Sequence, residues 1–312
     1  MTLRRFFGDP RHWIAIGVVY LAVMFFGHLA DHLILFPTTA PLEVRGAVRK
    51  TVPLENSELE IWTAQSQRAQ QHGGADLFIL RFYGNADRAD RWAAIEAKMW
   101  NDRAVEIWGM NYPGFGGSTG PARLSRMGPA ALAVFDELRR QAVGKNAVVS
   151  AVPSGSSLSS ALRTAHSIAP IIVFGTSIGA TAALHVAASR PGAISGVILQ
   201  NPPPIREMIL RQFGWWNLWL LAGPVALQIP RDLDSIANAR ESRARAIFLL
   251  AQQDEMVAPR FHRLVVSAYA GEKRVIALHG AYHNDPIEGA ALVDLNDALG
   301  WLLQKAKSHQ AP

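Results

Sequence analysis

The run Ile171-Ile172-Val173-Phe174-Gly175-Thr176-Ser177-Ile178-Gly179-Ala180 constrains this chain more than any other. A short apolar strand enters Gly-x-Ser-x-Gly, and a helical stretch over 180–189 follows at once. A serine on so sharp a strand-to-helix turn is held in strained backbone geometry. Its hydroxyl is pushed into the open at the end of a sheet, over a helix N-terminus. A Cβ at either flanking position would collide with the neighbouring strand and helix, which is why glycine stands at both. Gly-x-Ser-x-Gly alone is a weak string. The strand before it and the helix after it make it specific.

The rest of the chain alternates in the same way. Residues 44–52 and 59–64 read as a pair of opening strands, and 76–82 is a continuous apolar run suited to a buried central strand. Helical spacing over 86–100 precedes a strand at 104–110, and a helix at 129–141 follows. Strands at 171–174, 194–199, 245–251 and 274–278 alternate with helices at 180–189, 259–270 and 293–305. Repeated βα units imply an α/β fold, a mostly parallel central sheet flanked by helices. A length of 312 residues with 49% hydrophobic content suits one such domain, 37–312, with a segment to spare. Two stretches break the rhythm. Residues 146–169 form a serine-rich insertion with a helical second half at 158–167. Residues 202–236 form a lid-like segment that opens on three prolines and carries Trp215, Trp216 and Trp219.

The spare segment is N-terminal. Arg4, Arg5 and Arg11 precede an uncharged stretch over 13–30. As a helix it would span roughly 27 Å at ~1.5 Å per residue, close to the ~30 Å hydrocarbon core of a bilayer. Residues 1–36 are therefore expected to be a cytoplasmic stub and a transmembrane signal anchor, with the body of the protein on the extracytoplasmic side. A cleaved signal peptide and a buried helix of the fold are the rival readings. The net charge is +6 with only 18% charged residues, scattered and without aromatic interleaving. That disfavours nucleic acid and suits mild attraction to an anionic membrane surface. The chain has no cysteine, so disulfides, thiol catalysis and thiolate metal sites are excluded.

A serine hydroxyl is a poor nucleophile at neutral pH and needs a base, which in turn needs an orienting carboxylate. Asp254 follows the strand at 245–251 and precedes a helix, which places it for the acid, with neighbouring Glu255 as the competitor. His283 follows the strand at 274–278 through a glycine turn and is the candidate base, with Asp285 as a cap for the helix beyond. His279 sits at the strand end and is expected to pack or face solvent. His166 and His185 precede the acid and read as structural, and Asp232 and Asp234 read as turn or ion-pair residues. The backbone N–H groups of Ile178 and Asn85 are the candidate oxyanion donors, Asn85 lying in the loop Tyr83-Gly84-Asn85-Ala86. The glycine-rich loop Asn111-Tyr112-Pro113-Gly114-Phe115-Gly116-Gly117-Ser118 lacks a Lys-Ser/Thr pair at phosphate-binding spacing and reads as a tight loop bordering the site. No cofactor and no metal are expected.

These motifs together resemble the α/β-hydrolase superfamily, from about residue 33 to 303. Leu35-Phe36-Pro37, Tyr83-Gly84-Asn85-Ala86, Asn111-Tyr112-Pro113-Gly114-Phe115-Gly116 and the motifs around Ser177, Asp254 and His283 are similar to the membrane-anchored BEM46-like branch of serine hydrolases. Tyr83 departs from the histidine usual in that branch. The resemblance implies a Ser-His-Asp triad of Ser177, His283 and Asp254. It also implies hydrolysis of small-molecule or lipid acyl substrates, namely esters, thioesters, lipids or peptides. A hydrolase-fold binding or scaffold protein with little turnover, and a peptidase of the proline-iminopeptidase type, are the alternatives.

Overall fold

The structure is a computed structural model and describes residues 10–26, 28–100, 102–149, 169–215 and 219–304. Most of the serine-rich insertion, residues 150–168, and Trp216 lie outside the described residues.

The described strands are β1 (Val48–Leu54), β2 (Ser57–Gln65), β3 (Leu77–Phe82), β4 (Val105–Met110), β5 (Ile171–Thr176), β6 (Gly196–Gln200), β7 (Ala246–Ala251) and β8 (Lys273–Leu278). They form one eight-stranded sheet in the order β1-β2-β4-β3-β5-β6-β7-β8. The β1–β2 and β2–β4 pairs are antiparallel and the remaining pairs are parallel. Every residue of β3, β4 and β6 is buried, as parallel strands covered on both faces require. The edge strand β8 instead opens on exposed Lys273 and Arg274, charges that discourage edge-to-edge pairing.

Helices cover both faces. Helix α1 is Pro10–Phe26, α2 Leu29–Ile34, α3 Gln67–Gln71, α4 Ala89–Met99, α5 Leu124–Val149 and α6 Ile178–Ser189. Beyond them come α7 (Ile205–Phe213), α8 (Ala222–Leu227), α9 (Ser235–Glu241), α10 (Pro259–Ala268) and α11 (Gly289–Leu303), with a 3₁₀ turn at Arg231–Leu233 between α8 and α9. Phe135 and Leu138 of α5, Leu184 of α6, Ala239 of α9 and Val265 of α10 pack in one apolar core. Ala93 and Ala97 of α4 and Leu295, Leu299 and Leu302 of α11 pack in a second. The lid-like segment resolves into α7, α8 and the 3₁₀ turn. Trp215 and Trp219 are exposed there rather than packed inward.

Three expectations need correction. No helix among the described residues is long and apolar enough to cross a membrane. The apolar stretch is divided into α1 and α2, because His28 takes the left-handed φ of 48° between them. The chain past His28 turns onto the domain. Ala30 is buried, its N–H donates to Gln228 Oε1 (3.1 Å), and the Asp31 carboxylate accepts from the Leu124 N–H (2.8 Å). That second contact explains the next difference. Helix α5 begins five residues before Pro129, because an aspartate remote in sequence satisfies its first N–H. Third, Asp285 does not cap α11, whose N-cap is Glu288. Its carboxylate accepts the Tyr282 N–H instead (2.8 Å), closing the loop that carries His283.

Candidate active site

The turn after β5 has the strain that its sequence calls for. Ser177 sits at φ 53°, ψ −128°, and the N–H of Ala180 closes the turn on the Ser177 carbonyl (2.8 Å). The flanking glycines are sterically required. A Cβ on Gly175 would lie 2.4 Å from the Gly179 carbonyl oxygen, and one on Gly179 would lie 2.3 Å from that of Phe82. Residue 179 therefore packs directly on the end of β3. Since Phe82 pairs with Gly175 in register, the loop that leaves β3 is placed beside the serine.

The carboxyl ends of β7 and β8 deliver the other two groups. His283 Nε2 lies 2.9 Å from Ser177 Oγ, and His283 Nδ1 lies 2.7 Å from Asp254 Oδ2. The second carboxylate oxygen, Oδ1, accepts the N–H groups of Met256 (3.0 Å) and Val257 (2.7 Å). Asp254 and His283 are both buried, whereas Glu255 is exposed and makes no such contact. Burial works to raise the Asp254 carboxyl. The close His262 ring and the hydrogen bonds from His283 and the Val257 N–H prevail and hold it well below the usual carboxylate range. An ionised carboxylate can only accept, so His283 Nδ1 carries the proton and donates it, leaving Nε2 as the acceptor for the Ser177 hydroxyl.

The loop over residues 83–86 lies against the serine. A Cβ on Gly84 would stand 3.6 Å from that of Ser177, and Ala86 takes a positive φ of 63°. The N–H of Ile178 is the first of α6 and points out of its N-terminus. Among the described residues, neither this amide nor that of Asn85 meets an acceptor. The Asn85 side chain is engaged through both its oxygen and its nitrogen. Its Oδ1 accepts from the Phe36 N–H (2.9 Å) and the Ala86 N–H (3.1 Å), and its Nδ2 donates to the Ile34 carbonyl. The chain after α2 is thereby strapped across this loop. The strap continues through Thr38, whose carbonyl accepts from Gly116 N–H (2.8 Å) and Arg88 Nη1 (3.1 Å).

Several groups around the site escaped the sequence reading. Arg81, buried on β3, donates through Nε to both oxygens of Glu96 (2.9 and 3.0 Å). It also donates to the Phe82 carbonyl (2.7 Å) and to Thr176 Oγ1 (2.8 Å), one residue before the serine. Its guanidinium lies over the rings of Tyr83 (4.6 Å) and Phe174 (4.1 Å). Tyr83 thus supports the loop from below, its hydroxyl donating to Glu96 (3.1 Å). Burial, and then the Glu96 charge, drive the Tyr83 hydroxyl well above its ordinary value. Asn201, fully buried at φ 49°, joins the two acid- and base-bearing loops. Its Nδ2 donates to the His283 carbonyl (2.9 Å) and its Oδ1 accepts the Ala251 N–H (2.8 Å). The sequence hints at it only as a polar residue between an apolar strand and Pro202.

The other sequence candidates lie elsewhere. His279 is exposed and contacts Gln252 (3.2 Å). His185 lies 4.0 Å from Asp232, and Asp234 caps α9 and pairs with Arg206 (2.7 Å). His166 is outside the described residues. The glycine-rich loop over 111–118 spends its polar groups on Glu60, which accepts from Gly117 N–H and Asn111 Nδ2 (2.7 Å each).

A serine on a strained strand-to-helix turn in a mostly parallel sheet, linked through a histidine to an aspartate, defines a class of α/β proteins built around a nucleophile elbow. The protein belongs to the α/β hydrolase fold family, whose model matches residues 78–305. The chain is 25% identical over 303 residues to the uncharacterized protein Rv2307c of Mycobacterium tuberculosis, covering 94% of this chain and 95% of that one. It is similar in fold to the Pyrococcus furiosus esterase Pf2001 (TM-score 0.55, 14% identity, 87% of this chain and 97% of that one). It is similar also to Est1E from Butyrivibrio proteoclasticus (TM-score 0.58, 14% identity, 84% and 100%).

Proposed function

We propose that the protein is a serine hydrolase that cleaves acyl esters through an acyl-enzyme intermediate. One observation carries this reading. An unbroken hydrogen-bonded chain runs from Ser177 Oγ through both nitrogens of His283 to Asp254. In the proposed reaction Ser177 Oγ attacks the acyl carbonyl while His283 Nε2 takes its proton. The negative charge on the carbonyl oxygen develops between the N–H groups of Ile178 and Asn85. His283 then gives the proton to the departing alcohol, and the ester bond breaks. Water attacks the acyl-enzyme with His283 again as base, and Ser177 leaves with the returned proton. Asp254 stays ionised throughout and stabilises the imidazolium. Membership in the family and the likeness of the fold to the Pyrococcus furiosus esterase Pf2001 support an ester as the scissile bond.

A panel of p-nitrophenyl esters of graded acyl length tests the reading. Turnover by the wild type, with Ser177→Ala reduced to background, is the expected outcome. A folded wild-type protein with neither burst nor turnover on any member would argue for a binding protein.

A further inference from the structure

The catalytic reading uses one histidine, but the structure places two beside the same carboxylate. His262, on α10, is fully buried, and its Nε2 lies 3.2 Å from Asp254 Oδ2, the oxygen that also receives His283 Nδ1 at 2.7 Å. The His262 contact is close but falls outside hydrogen-bond geometry, and among the described residues neither ring nitrogen of His262 meets another partner. A buried polar ring with this little compensation is a poor choice for packing alone, where phenylalanine or leucine would fill the space without a polar cost. The placement is deliberate in another way. Pro259 opens α10 just after the Asp254 turn, and the first turn of the helix carries residue 262 back over the carboxylate.

We infer that His262 is a positioning residue that acts through Asp254, sharing the charge of Oδ2 and so limiting how firmly His283 holds its proton. The inference rests on the relay proposed above. A carboxylate oxygen that a second imidazole already faces at close range has less negative charge to offer the first. The enzyme then keeps its nucleophile active to lower pH. The geometry also explains the asymmetry of the two contacts. The short hydrogen bond belongs to His283, and the longer His262 contact leaves the ring of His283 correctly oriented.

Among the described residues no other charge competes for this role. Arg260 and Arg263 on α10 are exposed, as are Arg240 and Glu241 on α9, which packs against it, and β7 carries no titratable group. Glu255 and His279 in the adjoining loops face solvent, and Asp285 is engaged with the Tyr282 N–H.

The test compares the pH profile of kcat/KM on p-nitrophenyl acetate for wild type, His262→Phe and His262→Gln. The phenylalanine keeps the ring volume and removes the donor, whereas the glutamine keeps a donor. The acid limb of His262→Phe should move to higher pH by about half a unit or more, and His262→Gln should return toward wild type. Superimposable acid limbs in folded variants would overturn the inference while leaving the triad intact. Because His262→Phe can fail to fold, a second measurement uses the wild-type chain. Nitrogen-15 NMR of the histidine rings, with His262 assigned by its loss in His262→Gln, should show the Nε2–H tautomer or the doubly protonated ring. A Nδ1–H tautomer would turn a lone pair toward Asp254 and contradict charge sharing. Failure of the proposed function is distinguishable, because it abolishes wild-type turnover and leaves the tautomer measurement readable.

Discussion

Gly179→Ala probes the contact that aligns the serine with the candidate oxyanion loop. The added Cβ would lie 2.3 Å from the Phe82 carbonyl oxygen and 2.5 Å from that of Tyr83, where ordinary contact begins at 3.4 Å. Both obstacles are backbone, so relief requires a shift of about 1 Å in either the start of α6 or the end of β3. Either movement changes the spacing between Ser177 and the amides of residues 178 and 85. Overpacking of this kind costs about 1–3 kcal/mol of stability, which lowers the melting temperature by a few degrees in a domain this large. A displacement of about 1 Å at a reacting centre costs on the order of 100-fold in rate, comparable to losing one oxyanion donor. The variant should therefore fold, melt slightly early and lose about 100-fold in kcat, with a much smaller change in KM on a short p-nitrophenyl ester. Gly300→Ala is the control. Nothing stands within 4 Å of its added methyl, and it lies within α11, so it should be neutral or gain up to about 1 kcal/mol from helix propensity. A folded Gly179→Ala enzyme with kcat within twofold of wild type would refute the claim that this contact sets the alignment.

Other perturbations separate the remaining supports. Asn201→Ala removes both bonds that join the loops of His283 and Asp254. It should cost about 1–3 kcal/mol in urea unfolding and at least tenfold in kcat. Asn85→Ala keeps the backbone amide and releases the strap. Hydrogen exchange over residues 30–36 should accelerate by roughly tenfold or more while kcat falls less than tenfold. The depressed Asp254 carboxyl gives a stability contribution that is present above its unfolded value of about 3.9 and is lost as pH falls through its lower folded value. The stability gap between wild type and Asp254→Asn, read from urea melts, should therefore be largest near neutrality and shrink from about pH 5 downward. A gap that widens with acid would reverse the sign of that argument.

What could be read in the chain follows from what is local. The strand, the two glycines and the helix around Ser177 are contiguous, and each glycine meets a clash that the string itself implies. The alternating βα pattern was legible for the same reason, since each buried strand is a continuous apolar run. Partnerships set by strand order were not. Nothing in the sequence says that β3 lies beside β5, so the bond from Arg81 to Thr176 was invisible. The same holds for Asn201, which reaches His283 across 82 residues, and for His262, whose spacing from Asp254 matters only once α10 folds back. At the N-terminus the helix bounds differ from the sequence reading. The apolar stretch reads as one long helix, yet His28 breaks it, and Asp31 is drawn to the start of α5.

The central claim is that Ser177 is an activated nucleophile. Its most direct test is labelling with a fluorophosphonate probe, followed by mass spectrometric mapping of the modified peptide. Modification of the wild type at Ser177, its loss in Ser177→Ala and its marked slowing in His283→Ala are the results expected. A folded wild-type protein that stays unmodified, or that carries the label on another residue, would contradict the account.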